Sequence, residues 1–185
     1  ILNTENATIS KIVNNAEITD LLRSIGCGFG KDYDASAIRY HKIIILTDAD
    51  SDGHHIATLL MTFFYRHLPD IIRRGYLFLG APPLFKIRAG KDVHWVQDEV
   101  EKEEILSKLP KNAKPEITRF KGLGEMSATE LKKTTLDPKT RTLYRVVVDN
   151  ALEADRTFGE LMGRDASARF RLVMERSMEA DAIDL

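Results

Sequence analysis

The sequence predicts an α/β fold, a mostly parallel sheet flanked by helices, followed from Leu84 onward by a smaller α+β region. Three observations carry this. "KIIIL", residues 42–46, is β-branched and continuously apolar, as a strand covered on both faces requires. Behind it Ile56, Leu59, Leu60, Phe63 and Phe64 fall at i, i+3, i+4, i+7 and i+8, the stripe of an amphipathic helix. "YLFLGA", residues 76–81, is a second buried strand, closed by two prolines. Together these pieces make a strand–helix–strand unit.

The remaining elements follow in order. "NNAEITDLLRSIG" predicts a helix capped by Asn15, with Ile18, Leu21, Leu22 and Ile25 on one stripe and Gly26 as the stop. "GCGFGKDYDASA" is a loop, since no strand precedes its glycines as a dinucleotide fingerprint demands. Pro69 kinks or restarts the long helix, and Gly75 ends it. "LFKIRAGKDVHWVQ" predicts a hairpin around "AGKD", with Trp95 on one arm. "DEVEKEEILSKL" is acidic at its start and basic at its end, which suits a helix macrodipole. "TLYRVVV" is a further strand, and "DNALEADRTFGELMG" and "DASARFRLVMERSMEADAIDL" are two helices. The change of character at Leu84 divides the chain into residues 1–83 and 84–185.

Composition narrows the function classes. With 43% hydrophobic and 30% charged residues in 185, the chain has enough apolar material for a core without metal or disulfide staples. Lys plus Arg number 27 against 28 Asp plus Glu, a net charge of −1, so any nucleic-acid surface must be a local patch. The single Cys27 rules out an internal disulfide and a Cys-based zinc site, and fits a reducing compartment. No apolar stretch approaches the roughly 20 residues that span a bilayer, and no secretory leader is evident. "NAT" at Asn6 matches a glycosylation acceptor that a cytosolic chain would not use. The start at "ILNTENA", without Met, suggests a piece of a longer polypeptide.

"TDADSDG", residues 47–53, places Asp48, Asp50 and Asp52 at alternate positions behind the first strand. In an extended strand end these carboxylates converge. Gathered charge of one sign raises carboxylate pKa values unless a cation sits between them. Open α/β sheets bind ligands at this end of their strands. The plainer alternative is a solvated polar turn in which Asp52 or Ser51 caps the next helix. An EF-hand is excluded because Leu59 stands where the bidentate Glu is required. His54 and His55 diverge by about 100° on a helix and make a poor zinc pair. An all-oxygen set favours a hard cation, most simply Mg²⁺. An apolar strand followed by D-x-D also resembles the haloacid-dehalogenase phosphatases, although "DSD" replaces their "DGT".

The second motif is "RFKGLGEMSATEL", residues 119–131. From Arg119 to Arg145 there are seven Lys or Arg and three acidic residues, a patch that could follow a phosphate backbone. Two glycines flank Leu123, letting the backbone turn tightly, with a positive φ at Gly122, or approach another chain. The structural alternative is an ordinary turn before a helix, with Ser127 and Glu130 forming a capping box.

"TDADSDGHHIATLLMTFFYRHLPDII", "GYLFLGAPPLFKI" and "RFKGLGEMSATELKKTTLDPKTRTLYRV" together resemble the B subunit of bacterial type IIA DNA topoisomerases, the family of DNA gyrase and topoisomerase IV. The opening "ILNTENA" is similar to the segment that follows Pro-Leu-Arg-Gly-Lys in that family. The resemblance spans essentially the whole chain and implies a TOPRIM metal-binding domain over residues 1–83, begun part-way, with the C-terminal tail of the B subunit over 84–185. It does not separate gyrase from topoisomerase IV.

By that resemblance the parent enzyme passes one duplex through a transient double-strand break in another, driven by ATP that this piece does not itself bind. Asp48 would bridge two Mg²⁺ sites, Asp50 would complete the second and Asp52 would assist, with Mn²⁺ or Ca²⁺ able to substitute. Asn3, Arg119 and Lys121 would contact DNA. The family's catalytic Glu would lie upstream of Ile1, so no catalytic residue is expected within this chain. The attacking Tyr belongs to the A subunit, so Tyr33, Tyr40, Tyr65, Tyr76 and Tyr144 are expected to pack. Implied partners are double-stranded DNA and the A subunit in an A2B2 heterotetramer, in the cytoplasm and away from membranes. The alternatives are a DNA-docking and assembly module without activity of its own, and a D-x-D phosphatase.

Overall fold

The computed structural model describes residues 1–110 and 112–177. Its elements in chain order are α1 (Ile9–Val13), α2 (Ala16–Ile25), β1 (Ile43–Ile45), α3 (Ser51–His67), α4 (Pro69–Arg73), β2 (Leu77–Gly80), β3 (Phe85–Ala89) and β4 (Asp92–Val96). There follow α5 (Glu99–Lys108), β5 (Glu116–Arg119), α6 (Ala128–Leu131), β6 (Leu143–Arg145), α7 (Ala151–Met162) and α8 (Ala166–Arg176). Two compact units form, one from Ile1–His41, Thr58–Tyr76 and Val147 onward, the other from Lys42–Ala57 and Leu77–Val146. No helix among the described residues is long and apolar enough to cross a membrane.

The first unit is helical. Asn15 caps α2 by accepting the Ile18 N–H at 3.0 Å, and Gly26 closes it in the left-handed region. Ile18 and Ile25 are buried, while Leu21 and Leu22 are half-exposed. α1 was not foreseen, because five residues are too few for a periodic signal, yet Thr8 caps it and its Ile12 is fully buried. Leu59, Phe63 and Phe64 of α3 enter the core, with the two phenylalanine rings edge-on at 5.6 Å. Full burial of each ring contributes about 1.5–3 kcal/mol. Pro69 restarts the chain at the first position of α4.

Asn150 caps α7. Tyr65 stacks on Phe158 at 4.7 Å and donates its hydroxyl to the Ala151 carbonyl at 3.0 Å. Arg66 grips Glu5 through two hydrogen bonds of 2.5 and 2.9 Å and also pairs with Asp155. The expected final helix is present as α8, and its continuation past Ser177 lies outside the described residues.

The second unit holds both sheets. β1 and β2 pair in parallel, Ile43 opposite Leu77 and Ile45 opposite Leu79, and β6 adds antiparallel to β2. A parallel pair needs a long crossover, which α3 and α4 supply in the chain. β1 is shorter and less covered than its composition predicts. Only Ile45 is buried, and Ile43 and Ile44 stay half-exposed at the sheet's outer strand.

β3 and β4 form the predicted hairpin, with Ala89 opposite Asp92 across Gly90 and Lys91. β5 pairs on the other side of β3 and was not foreseen, since none of its four residues is buried to print an alternation. Phe85, Ile87 and Val96 make this sheet's core, covered by Leu84 and by Ile105 and Leu106 of α5. The Ser127–Glu130 capping box is present. α6 is only four residues long and runs into a π-helical turn over Lys132–Leu136.

Candidate metal and DNA site

β1 ends at Ile45 and α3 begins at Ser51, so the acidic residues occupy the joint between them and the first helical turn. Asp50, rather than Ser51 or Asp52, caps α3. It stands immediately before the helix, and its Oδ1 accepts the Gly53 N–H at 2.7 Å. Gly53 makes the joint possible. A Cβ there would sit 2.0 Å from the Asp48 carbonyl oxygen, so no larger residue could start the helix this close to the strand.

Asp48, Asp50 and Asp52 all line one open cleft of about 400 Å³, with Thr47, Ile56 and Leu123 among its other walls. Ile56 was expected on the buried stripe. It is 39% exposed instead, because the first turn of α3 borders this cleft. Among the described residues no three His, Cys, Asp or Glu side chains are grouped closely enough to hold a metal by themselves. The donor chemistry nevertheless suits Mg²⁺, which takes one or two carboxylates, keeps several waters and completes its shell with phosphate oxygens. Asp48 and Asp50 are exposed, which leaves room for such waters.

The basic motif meets the acidic one directly. The Ala49 N–H donates to the Lys121 carbonyl at 3.0 Å, and the Leu123 N–H donates to Asp48 Oδ1 at 2.8 Å. The Lys121 N–H in turn donates to Glu125 Oε2 at 2.9 Å, which tightens the turn. The Lys121 side chain is exposed, and so is that of Arg119 at the end of β5. Gly122 has φ −139° and ψ 155°, ordinary extended backbone, so the positive φ expected there is absent. Its lack of a side chain matters for another reason, because a Cβ would lie 3.3–3.4 Å from the Asp48 carboxyl atoms.

Asn3 belongs to the first unit and is engaged within it. Its amide donates to the Met162 carbonyl at 2.9 Å, and its Oδ1 accepts the Glu5 N–H at 3.1 Å. Of the tyrosines, Tyr65 packs as described and Tyr76 meets His41 edge-on at 5.4 Å. Tyr40 and Tyr144 are 51% and 58% exposed and do not pack as expected.

In the second unit, Lys86 Nζ and Glu130 Oε1 are 2.5 Å apart. That lysine, helped by hydrogen bonds from the Ser127 backbone and hydroxyl, holds the Glu130 carboxyl down at about 2. A larger cavity of about 520 Å³ lies in the first unit, lined by Tyr65, Arg66, Pro69, Ile72 and Arg73 among others. Its two arginines are already paired, Arg66 with Glu5 and Asp155 and Arg73 with Asp70. It therefore lacks the convergent polar groups of the acidic cleft. Sequence reasoning missed Gly53 and the Leu123 amide; it singled out Gly122, where the close approach is present and the positive φ is not. A glycine at the third position of a helix was the available signal, since glycine is poor there unless a close approach demands it.

A strand–helix–strand frame carrying carboxylates past the strand's end, with a glycine-containing basic turn bonded to it, defines an α/β domain of open-sheet type, a class that binds ligands at this end of its strands. Residues 6–78 match the family model of the Toprim domain, and residues 112–174 match that of the DNA gyrase B subunit, carboxyl terminus. The chain is 45% identical over its full 185 residues to the DNA gyrase B subunit of Halalkalibacterium halodurans, covering 29% of that protein. It is 48% identical over 183 residues, 98% of its length, to the DNA topoisomerase 4 B subunit of Caulobacter vibrioides, covering 26% of that protein. The DNA gyrase B subunit of Enterococcus faecalis is 44% identical over 189 residues, again across the whole chain and 29% of the relative. The chain belongs to the family of bacterial type IIA DNA topoisomerase B subunits. It spans less than a third of the length of these relatives.

Proposed function

We propose that this chain is the metal- and DNA-facing part of the B subunit of a type IIA topoisomerase. In this reading it holds Mg²⁺, replaceable by Mn²⁺ or Ca²⁺, beside a DNA phosphate and supports double-strand cleavage, strand passage and religation. The observation that carries this reading is the pair of hydrogen bonds joining Ala49 and Asp48 to the Lys121–Leu123 turn. They put the acidic strand end and the basic turn in one site, where carboxylates alone would repel DNA.

Asp48 and Asp50 are the principal ligands in this proposal, and Asp52 assists. When bound, the cation supplies positive charge against the charge that develops on phosphate oxygens in phosphoryl transfer. Lys121 and Arg119 contact the phosphate backbone and fix its register without reading sequence. Asn3 is a further DNA contact in this reading, made after release of its Met162 bond. The complete enzyme would pair with an A subunit, forming A2B2, and use ATP bound by other parts of the B subunit.

The decisive experiment reconstitutes the chain with the rest of the B subunit and an A subunit, then measures Mg²⁺-dependent DNA cleavage. Asp48→Asn should abolish it while association with the A subunit persists. Cleavage at the wild-type level by Asp48→Asn would remove Asp48 from the metal site. A second reading, a docking and assembly module without a metal role, draws on the absence of a three-ligand group among the described residues. It predicts that DNA and the A subunit both bind with no response to divalent cations.

A further inference from the structure

Asp48 is exposed and sits just past a short strand, so nothing in its own segment fixes the carboxylate. A free aspartate rotor would have to be ordered by the cation itself, at a cost in side-chain entropy. The structure places a partner on it from 75 residues away, the Leu123 N–H, which donates to Oδ1 at 2.8 Å. The backbone around that amide is held in turn. Ala49 donates to the Lys121 carbonyl, and Glu125 accepts from the Lys121 N–H and takes part in the same turn. Gly122 lies between these anchors, with its Cα so close to Asp48 that an added Cβ would be 3.3 Å from both Cγ and Oδ1 and 3.4 Å from Oδ2. Since its φ of −139° suits any residue, conformational freedom does not explain a glycine here. Gly124, two residues on, has nothing within 4 Å of an added Cβ.

We propose that the Lys121–Leu123 turn is a positioning element for Asp48. The Leu123 amide locks one carboxylate oxygen, and Gly122, by having no side chain, keeps the other open to a divalent cation. This rests on the metal reading given above and adds residues to it. The same backbone that carries Lys121 toward phosphate thereby sets the orientation of the metal ligand. A Cβ at Gly122 would crowd the carboxylate without straining the chain, so the defect should show in ligand geometry before it shows in stability.

Two measurements on the full chain test this. The first needs no metal: hydrogen exchange and the ¹H–¹⁵N resonance of the Leu123 amide. Asp48→Asn, a change at an exposed site, should shift that resonance and speed its exchange several-fold relative to neighbouring amides. An unmoved Leu123 amide would overturn the proposal whatever the metal does. The second is Mn²⁺ titration followed by electron paramagnetic resonance. Gly122→Ala should weaken Mn²⁺ binding on the order of 10-fold, with a melting temperature close to wild type, while Gly124→Ala should bind as wild type does. Wild-type affinity in Gly122→Ala alongside weakened binding in Asp48→Asn would overturn the positioning role and leave the metal site standing. Equal affinity in Asp48→Asn and wild type would overturn the metal site itself.

Discussion

Arg66 shows how one side chain can decide a local structure. Its guanidinium is 23% exposed, grips Glu5 bidentately, pairs with Asp155 and lies over the Tyr65 ring at 5.1 Å. These partners hold its proton more tightly than usual. Arg66→Ala should cost about 2–4 kcal/mol by leaving Glu5 half-buried and unpaired. Arg66→Lys should recover little, since an ammonium cannot match the two-point grip; chemical denaturation of the three proteins checks both. Lys121 belongs at the same scale. If it meets a phosphate, Lys121→Ala should weaken binding similarly across DNA sequences and reduce the salt slope of log K by about one unit. Fluorescence anisotropy at several salt concentrations, in the complex reconstituted with the A subunit, is the measurement. An unchanged slope would remove Lys121 from the DNA contacts.

Among elements, α6 is too short to stand on propensity, and its four residues depend on the Ser127–Glu130 capping box and on Lys86. Ser127→Ala should cost about 1 kcal/mol. Glu130 also carries a pH signature. Its folded value of about 2 lies below the ordinary glutamate value of about 4.3, so its contribution is complete above the latter and is lost as pH falls toward the former. Glu130→Gln keeps the capping geometry but removes the ion pair with Lys86. It should therefore flatten the fall in stability between about pH 4.3 and pH 2, read from melting temperatures across that range. An identical acid limb in both proteins would exclude the ion pair as its source.

For the molecule as a whole, a net charge of −1 leaves no bulk attraction to DNA, so the proposed DNA and metal contacts depend on local arrangement. Trp95, the single tryptophan, lies in the second unit, in contact with the Lys86 ammonium and the Phe120 ring, and reports that unit's unfolding. A cation bound only by the folded state raises stability by about 2.7 kcal/mol at 100 times its Kd. Millimolar Mn²⁺ should accordingly raise the Trp95-monitored denaturation midpoint in wild type and leave Asp48→Asn unmoved. An equal rise in both would place the effect elsewhere.

The amino-acid sequence alone determined the elements whose signals are local. Asn15, Ser127 and Gly26 act through their own neighbours, the α3 stripe needs only helical periodicity, and the β3–β4 hairpin needs only a two-residue turn. Asp48, Asp50 and Asp52 do line one cleft, but not by alternating along an extended strand end as expected, since β1 ends at Ile45 and Asp52 lies in the first turn of α3. Tertiary structure decided the rest. β5 finds its place only by pairing with β3, a strand far earlier in the chain, and carries no buried residue of its own to announce it. The reason for Gly122 is invisible locally, because its backbone is ordinary and the atom it makes room for is the carboxylate of Asp48. Sequence periodicity records which way a side chain faces within its own element. It holds no record of which distant amide that side chain will meet, because that distance is fixed only when the sheets close.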